Sequence, residues 1–229
     1  MREEAEMTGD LDALQPERLW NLASRWEYLQ QGRWKHWAEH TPDGRLRYHQ
    51  GRKPVLLTAP HATVHQREGM RKAADLRTGS LVELLSECTG AGFLTTTTAH
   101  FFDANWDSPT TPFHDKLREL WRPGTIVIDV HGMSDTHGSD ICIALGPTPS
   151  MRARTAALHF AATAQKAGFR VSINSPFDAT RSTTIASFIQ SQGGDAFEIE
   201  IARHLREPDR HPEDAERLVM WLSTCIREM

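Results

Sequence analysis

The chain has 229 residues, 39% of them hydrophobic and 24% charged, the composition of an ordinary globular protein rather than of a disordered or collagen-like one. Lys plus Arg number 26 and Asp plus Glu 30, a net charge of −4, so no overall basic field points to nucleic acid. No apolar run approaches the roughly 18 residues that cross a bilayer, so no membrane partner is expected.

The length suits one α/β domain with an N-terminal extension, and we expect a helical extension over residues 1–50 and the domain over residues 51–229. The opening Met1-Arg-Glu-Glu-Ala-Glu-Met7 is acidic and lacks the apolar run and cleavage site of a secretory signal, so a cytoplasmic protein is expected. Cys88, Cys142 and Cys225 are too few and too scattered for a disulfide framework or a cysteine-based zinc site, which predicts reduced, structural thiols.

Residues 11–40 read as a helix, with Leu19, Leu22, Trp26 and Leu29 on one face, and Asp43-Gly44 marks a turn after it. This segment carries Trp20, Trp26, Trp34 and Trp37, for which packing against the domain is the favoured reading over a carbohydrate-stacking surface. Pro54 to Pro60 is a short apolar run expected to be a buried strand, with His61 just beyond its end. A helix over Thr78 to Cys88, ended near Gly90, leads to a strand over Gly92 to Thr98. Residues 113–121 suit a helix, Pro123-Gly124 stops it, and Thr125 to Val130 is a second buried strand followed directly by His131. A strand over Ile141 to Leu145, an alanine-rich helix over Ala153 to Ala167, a strand over Phe169 to Ile173, a strand over Ala196 to Ile201 and a closing helix over residues 212–227 complete the chain. This alternation predicts a three-layer α/β domain.

His61 and His131 each follow a buried strand, and in open α/β sheets ligands bind beyond the strands' carboxyl ends. Two imidazoles plus one carboxylate make a catalytic zinc site with one position left to water. Two acids compete for the third place. Glu68 ends the segment His65-Gln-Arg-Glu68, a His-x-x-Glu spacing that binds zinc; Asp75 sits just before Thr78-Gly79 and the next helix, where it can point back at the crevice. Asp129, two residues before His131, shares its strand face and can orient a histidine.

Glu198 and Glu200 alternate with apolar residues and so share one strand face. Either this is an edge strand whose acidic face meets solvent or pairs with Arg203 and Arg206, or the pair is buried and needs a cationic partner. On the second reading Glu200 is the candidate general base, with Glu198 beside it. The loop Asn174 to Arg181 offers an amide and a guanidinium able to grip a substrate carboxylate, although Asn-Ser-Pro is also common turn chemistry. A Gly-x-Ser-x-Gly elbow, a phosphate-binding Gly-x-x-x-x-Gly-Lys loop and a Gly-x-Gly-x-x-Gly fingerprint are absent.

Taken in order, Ala59-Pro-His61, Asp103-Ala-Asn105, Ile128-Asp-Val-His131-Gly, Ser139-Asp140-Ile-Cys-Ile-Ala-Leu-Gly146, Asn174-Ser-Pro-Phe177 and Glu198-Ile-Glu200-Ile-Ala-Arg203 resemble the N-formylglutamate amidohydrolase family over roughly residues 54–206. The resemblance implies a zinc carboxypeptidase-like fold, a mixed, mostly parallel central sheet flanked by helices, and a metal-dependent hydrolase of an amide bond. It implies His61 and His131 as metal histidines, Asp75 as the acid that opens the following helix, and Glu200 as the acid of the Glu-x-x-Arg segment, with Arg203 structural or substrate-facing. The chain departs from the family where Pro60-His61 continues Ala-Thr and where Trp106 follows Asn105.

The expectation is therefore a zinc amidohydrolase acting on an N-acyl amino acid or small peptide-like substrate that bears a carboxylate, held by Asn174 and Arg181. The alternative is a non-catalytic binding protein that retains the fold and engages a partner through its tryptophan-rich N-terminus. The acyl group, the amine and the oligomeric state are left open.

Overall fold

The computed structural model describes residues 46–229; the expected helix over residues 11–40 and its four tryptophans lie outside the described residues. Nine strands are described: β1 Leu46–His49, β2 Val55–Ala59, β3 His65–Arg67, β4 Met70–Lys72, β5 Gly92–Thr96, β6 Ile126–Met133, β7 Ile141–Ala144, β8 Val171–Ile173 and β9 Asp195–Ala202. The α-helices are α1 Thr78–Thr89, α2 Pro112–Leu120, α3 Met151–Lys166, α4 Ile185–Ser191 and α5 Pro212–Arg227.

Seven strands form one sheet in the order β1-β5-β2-β6-β9-β7-β8. Strands β5, β2, β6 and β9 run parallel, while β1 and the β7–β8 pair run against them, so the sheet is mixed and mostly parallel. Parallel neighbours are buried on both faces, and the burial of every residue of β2 and β5 follows from the helices above and below them.

Alternation along each strand divides the core into two layers. On one face Val55, Leu57, Ile126, Ile128, Val130, Phe197 and Ile199 pack under α1, α3 and α5. On the other, Leu56, Leu94, Val127 and Ala196 pack under α2 and α4. This second face is apolar only at the amino ends of the strands. Toward their carboxyl ends Thr58, Asp129 and His131, then Glu198 and Glu200, take the same side, all buried. The register Thr58↔Asp129, Asp129↔Glu198 and His131↔Glu200 sets them in adjacent rows.

Three features differ from expectation. Leu46–His49 pair with β5 as an antiparallel edge strand, so the sheet begins inside the segment assigned to the N-terminal extension. Four residues, of which only Leu46 is even partly buried, carry too little pattern to show this. The loop after β2 contains the hairpin β3–β4, turned at Glu68 and Gly69, whose φ values are 52° and 73°; a Glu-Gly pair lacks the usual Asn-Gly or Asp-Gly signal. Helix α4 has seven residues, six of them buried, and so shows no amphipathic periodicity. Thr184 caps it, its side chain accepting from the Ser187 N–H.

Phe160 of α3 and Phe197 of β9 are fully buried, with ring centroids 5.4 Å apart. Replacing Phe197 by Ala is expected to cost about 3–5 kcal/mol of unfolding free energy, measured by urea denaturation; a loss below about 1 kcal/mol would show that this layer is not close-packed.

Candidate metal centre

His61 follows β2, His131 lies near the carboxyl end of β6, and Asp75 stands three residues before α1. The Asp75 N–H donates to the His61 carbonyl (2.8 Å), and its own carbonyl accepts from the Thr78 N–H (3.1 Å) and the Thr78 hydroxyl (2.8 Å). The backbone thus holds this carboxylate against the histidine before any side-chain contact is counted. His131 Nδ1 lies 3.1 Å and His61 Nδ1 3.6 Å from the same oxygen, Asp75 Oδ2. The two rings meet edge to face with centroids 4.7 Å apart.

The opposite nitrogens face acids. His61 Nε2 is 2.8 Å from Asp103 Oδ1, and His131 Nε2 is 2.8 Å from Asp129 Oδ2. Asp129 in turn accepts from the Thr58 hydroxyl (2.5 Å) and from Asn105 Nδ2 (2.9 Å). Asp103 accepts from Arg67 Nε (2.6 Å) and from the Asn105 N–H (2.9 Å). A carboxylate behind each imidazole fixes its orientation and raises its basicity, the usual support of a metal-binding histidine.

This arrangement concentrates negative charge around both rings. Burial pulls His61 down, but hydrogen bonds to Asp103 and Asp75 outweigh it and raise its pKa to about 9. His131 is likewise raised well above the ordinary imidazole value: burial works against the shift, and the charge and hydrogen bond of Asp129 overcome it. Burial would raise Asp75, yet its contacts with His131 and His61 hold it well below the usual carboxylate range. Without a metal, then, cationic imidazoles supply the positive charge that the acids demand. A divalent cation held by His61, His131 and Asp75 would supply the same charge, and two histidines with one carboxylate are a donor set that suits zinc.

Glu68 is not brought to this point. It sits in the exposed turn of the β3–β4 hairpin, where its carboxylate accepts from Trp106 Nε1 (3.0 Å). Of the three groups among the described residues whose ligand atoms lie within reach of one another, none contains Glu68 and one joins Asp75 to His61 and His131, because the turn into α1 returns to His61 whereas the hairpin carries Glu68 outward. His61, His65 and Asp103 form a second such group, but the Arg67 guanidinium occupies Asp103 Oδ2 there, so it orients His61.

Glu198 and Glu200 lie in β9 between β6 and β7, in the interior of the sheet, which removes the edge-strand reading. Burial raises Glu198 to about 7 and Glu200 to about 8. Glu198 Oε2 stands 4.0 Å from His131 Nε2, behind the ring. Glu200 Oε2 is buried with no hydrogen-bond partner among the described residues, an unsatisfied acceptor that a ligand or cation would complete.

A cleft of about 390 Å³ opens over these groups, lined by His61, Asp75, His131, Glu198 and Glu200 on its floor and by Trp106 and Arg181 on its wall. The Arg181 guanidinium rests on the Trp106 ring, 3.4 Å from the centroid, with its Nε donating to Thr183. Asn174 takes no part. Its side-chain oxygen accepts the Leu145 N–H (2.8 Å) and its φ is 54°, so it ties the carboxyl end of β8 to that of β7 as turn chemistry, and it does not line the cleft. Arg203 pairs with Glu207 at the surface.

Sequence reasoning assigned no role to Asp103, Asn105 or Trp106. All three belong to one loop between β5 and α2, which has no period to read, and only the Asp-Ala-Asn triplet hinted at them.

No known family profile matches the chain, and no curated protein matches it in sequence. Solved structures do. The N-formylglutamate amidohydrolase of Ralstonia eutropha superposes with a TM-score of 0.58 at 13% identity, covering 81% of this chain and 96% of that one. This chain shares its fold. A bacteriophage poly-gamma-glutamate hydrolase gives a TM-score of 0.50 at 14% identity over 83% of this chain and 90% of its own. A zinc-free form of the protein YNDL gives 0.52 at 18% identity over 80% and 91%. At these identities the likeness is one of fold.

Replacing Asp103 or Asp129 by Ala is expected to weaken zinc binding about 10–100-fold, read by competition with a chromophoric chelator. Asp75→Ala weakens it at least as much, and Glu68→Ala leaves it unchanged; equal losses for both acids would overturn the choice of Asp75.

Proposed function

We propose that the chain is a zinc-dependent hydrolase that cuts the amide bond of an N-acyl amino acid or small peptide-like substrate bearing a carboxylate. The observation that carries this reading is the convergence of two imidazole Nδ1 atoms and one carboxylate oxygen beneath an open cleft, with a buried Glu200 oxygen beside them that has no partner among the described residues. The fold shared with amide hydrolases supports it.

His61, His131 and Asp75 would hold the zinc, which when bound supplies Lewis acidity and a water that ionises near neutral pH. Glu200 takes a proton from the attacking water on its free carboxylate oxygen and returns it to the leaving nitrogen. A carboxyl whose burial already sets its affinity for protons near neutrality is suited to both transfers. Asp103 and Asp129 keep the two imidazoles turned with Nδ1 toward the cleft. Arg181, held flat on Trp106, presents its guanidinium to the substrate carboxylate at the cleft wall.

Glu200→Gln is expected to lower turnover about 10²–10⁴-fold while zinc content per chain stays at the wild-type value. Turnover of N-acyl amino acids followed by amine release, together with metal analysis by mass spectrometry, checks this. Wild-type protein that neither contains nor takes up zinc ends the hydrolase reading.

The metal-free protein carries its own pH signature. Folded pKa values of about 7 for Glu198, 8 for Glu200 and 9 for His61 all exceed those of the unfolded chain. Over this range the folded state therefore binds more protons than the unfolded state, and stability falls as pH rises. Burial holds His65, His100 and His114 below the ordinary imidazole value, His100 down to about 3 and His114 to about 4, so their protonation in the unfolded chain opposes this slope near pH 6.5 and is lost above about pH 7.5. Urea midpoints of chelator-treated protein are expected to fall between about pH 6.5 and pH 9, and the fall to shrink in the Glu198→Gln, Glu200→Gln double variant. A midpoint that rises over this range would contradict the burial of the two acids.

A further inference from the structure

Beneath the floor of the cleft lies a buried cation that the chemistry above does not use. Arg206 follows β9 in a short 3-10 turn, His204–Arg206, and is 4% exposed. Its guanidinium meets three backbone carbonyls from three separate segments. Nε donates to the Ile201 carbonyl (3.1 Å), Nη1 to the Leu76 carbonyl and Nη2 to the Met133 carbonyl (3.5 Å). Each of these segments carries one residue of the site: Leu76 follows Asp75, Met133 lies two residues after His131, and Ile201 follows Glu200.

The space for this side chain is made by Gly132, where a Cβ would overlap the guanidinium. The glycine next to His131 is therefore explained by the arginine rather than by backbone conformation, since its φ is not positive. The charge also acts at the site, where Arg206 faces both Asp75 and Glu200 electrostatically. A lysine cannot reproduce the contact, because only the planar fork donates in several fixed directions at once.

We propose that Arg206 is a positioning residue that locks the Asp75, His131 and Glu200 segments into one rigid unit, so that the metal centre is preformed. The inference rests on the reading of His61, Asp75 and His131 as the zinc site. It predicts that Arg206→Met raises the zinc dissociation constant about 10–100-fold, and that Arg206→Lys, which keeps a charge but loses the fork, falls between Met and wild type. Turnover of loaded protein is expected to drop through kcat more than through KM.

Zinc affinity by chelator competition is the decisive measurement, with far-UV circular dichroism of the metal-free variants as the control for folding. A merely structural arginine would lower the urea midpoint and leave the zinc affinity of the folded fraction at the wild-type value, and that result overturns the proposal. If Arg206→Met does not fold, Gly132→Ala perturbs the guanidinium without removing it; wild-type affinity in a folded Gly132→Ala variant is equally fatal. Should wild-type protein bind no zinc, the zinc reading fails by itself, and the positioning role is then read by hydrogen exchange. Faster exchange of the Asp75 and Thr78 amides in the lysine variant, with α5 unchanged, supports it, and unaltered exchange at those amides overturns it.

Discussion

The arrangement of this domain turns on the burial of a charged row at the carboxyl ends of its central strands. Asp129, His131, Glu198 and Glu200 face one side of β6 and β9, where an apolar layer would otherwise continue. Ionised groups in such a place persist only when each finds an opposite charge or a full set of hydrogen bonds. Thr58 and Asn105 provide for Asp129, and the imidazoles supply positive charge between the acids. The acids outnumber what these partners neutralise. Glu198 and Glu200 respond by holding protons, and one Glu200 oxygen is left without a partner among the described residues. A divalent cation would complete the row, and His61, Asp75 and His131 are grouped so that they could hold one.

Rigidity around this row comes from segments distant in sequence. Asn105 illustrates it: its Nδ2 donates to Asp129 while its Oδ1 accepts the Ile185 N–H, so one amide joins the loop after β5, the row on β6 and the first turn of α4. Asp103 does the same for His61 and the hairpin, through Arg67. Arg206 ties the same site from the opposite side of the sheet's end. The site is thus clamped by polar contacts above and below strands whose apolar packing fixes the register.

The cleft wall is distinct in character. Trp106 and Arg181 come from loops after β5 and β8, and their contact is a stacked cation rather than a hydrogen-bonded lattice. Loops tolerate change better than the strands and strand ends that carry most of the floor.

Much of this was legible in the sequence. Apolar runs ending at His61 and His131, the alternation of Glu198 with Glu200, and the glycine and proline punctuation between helices and strands carry periodic signals that local chemistry imposes wherever a strand is buried. Those signals determined the α/β class and the positions of the principal strands and helices, and they singled out both histidines as candidates. Tertiary structure alone decided the rest. Whether Glu198 and Glu200 meet solvent or a buried site depends on β9 lying between β6 and β7, a pairing of residues distant along the chain. That Asp75 rather than Glu68 lies against the two histidines depends on a backbone hydrogen bond closing the loop that holds the hairpin, and the contacts of Asp103, Asn105 and Arg206 join loops and turns. Strands and helices repeat and so announce themselves; a polar contact between two loops has no period, and only folding brings its partners together.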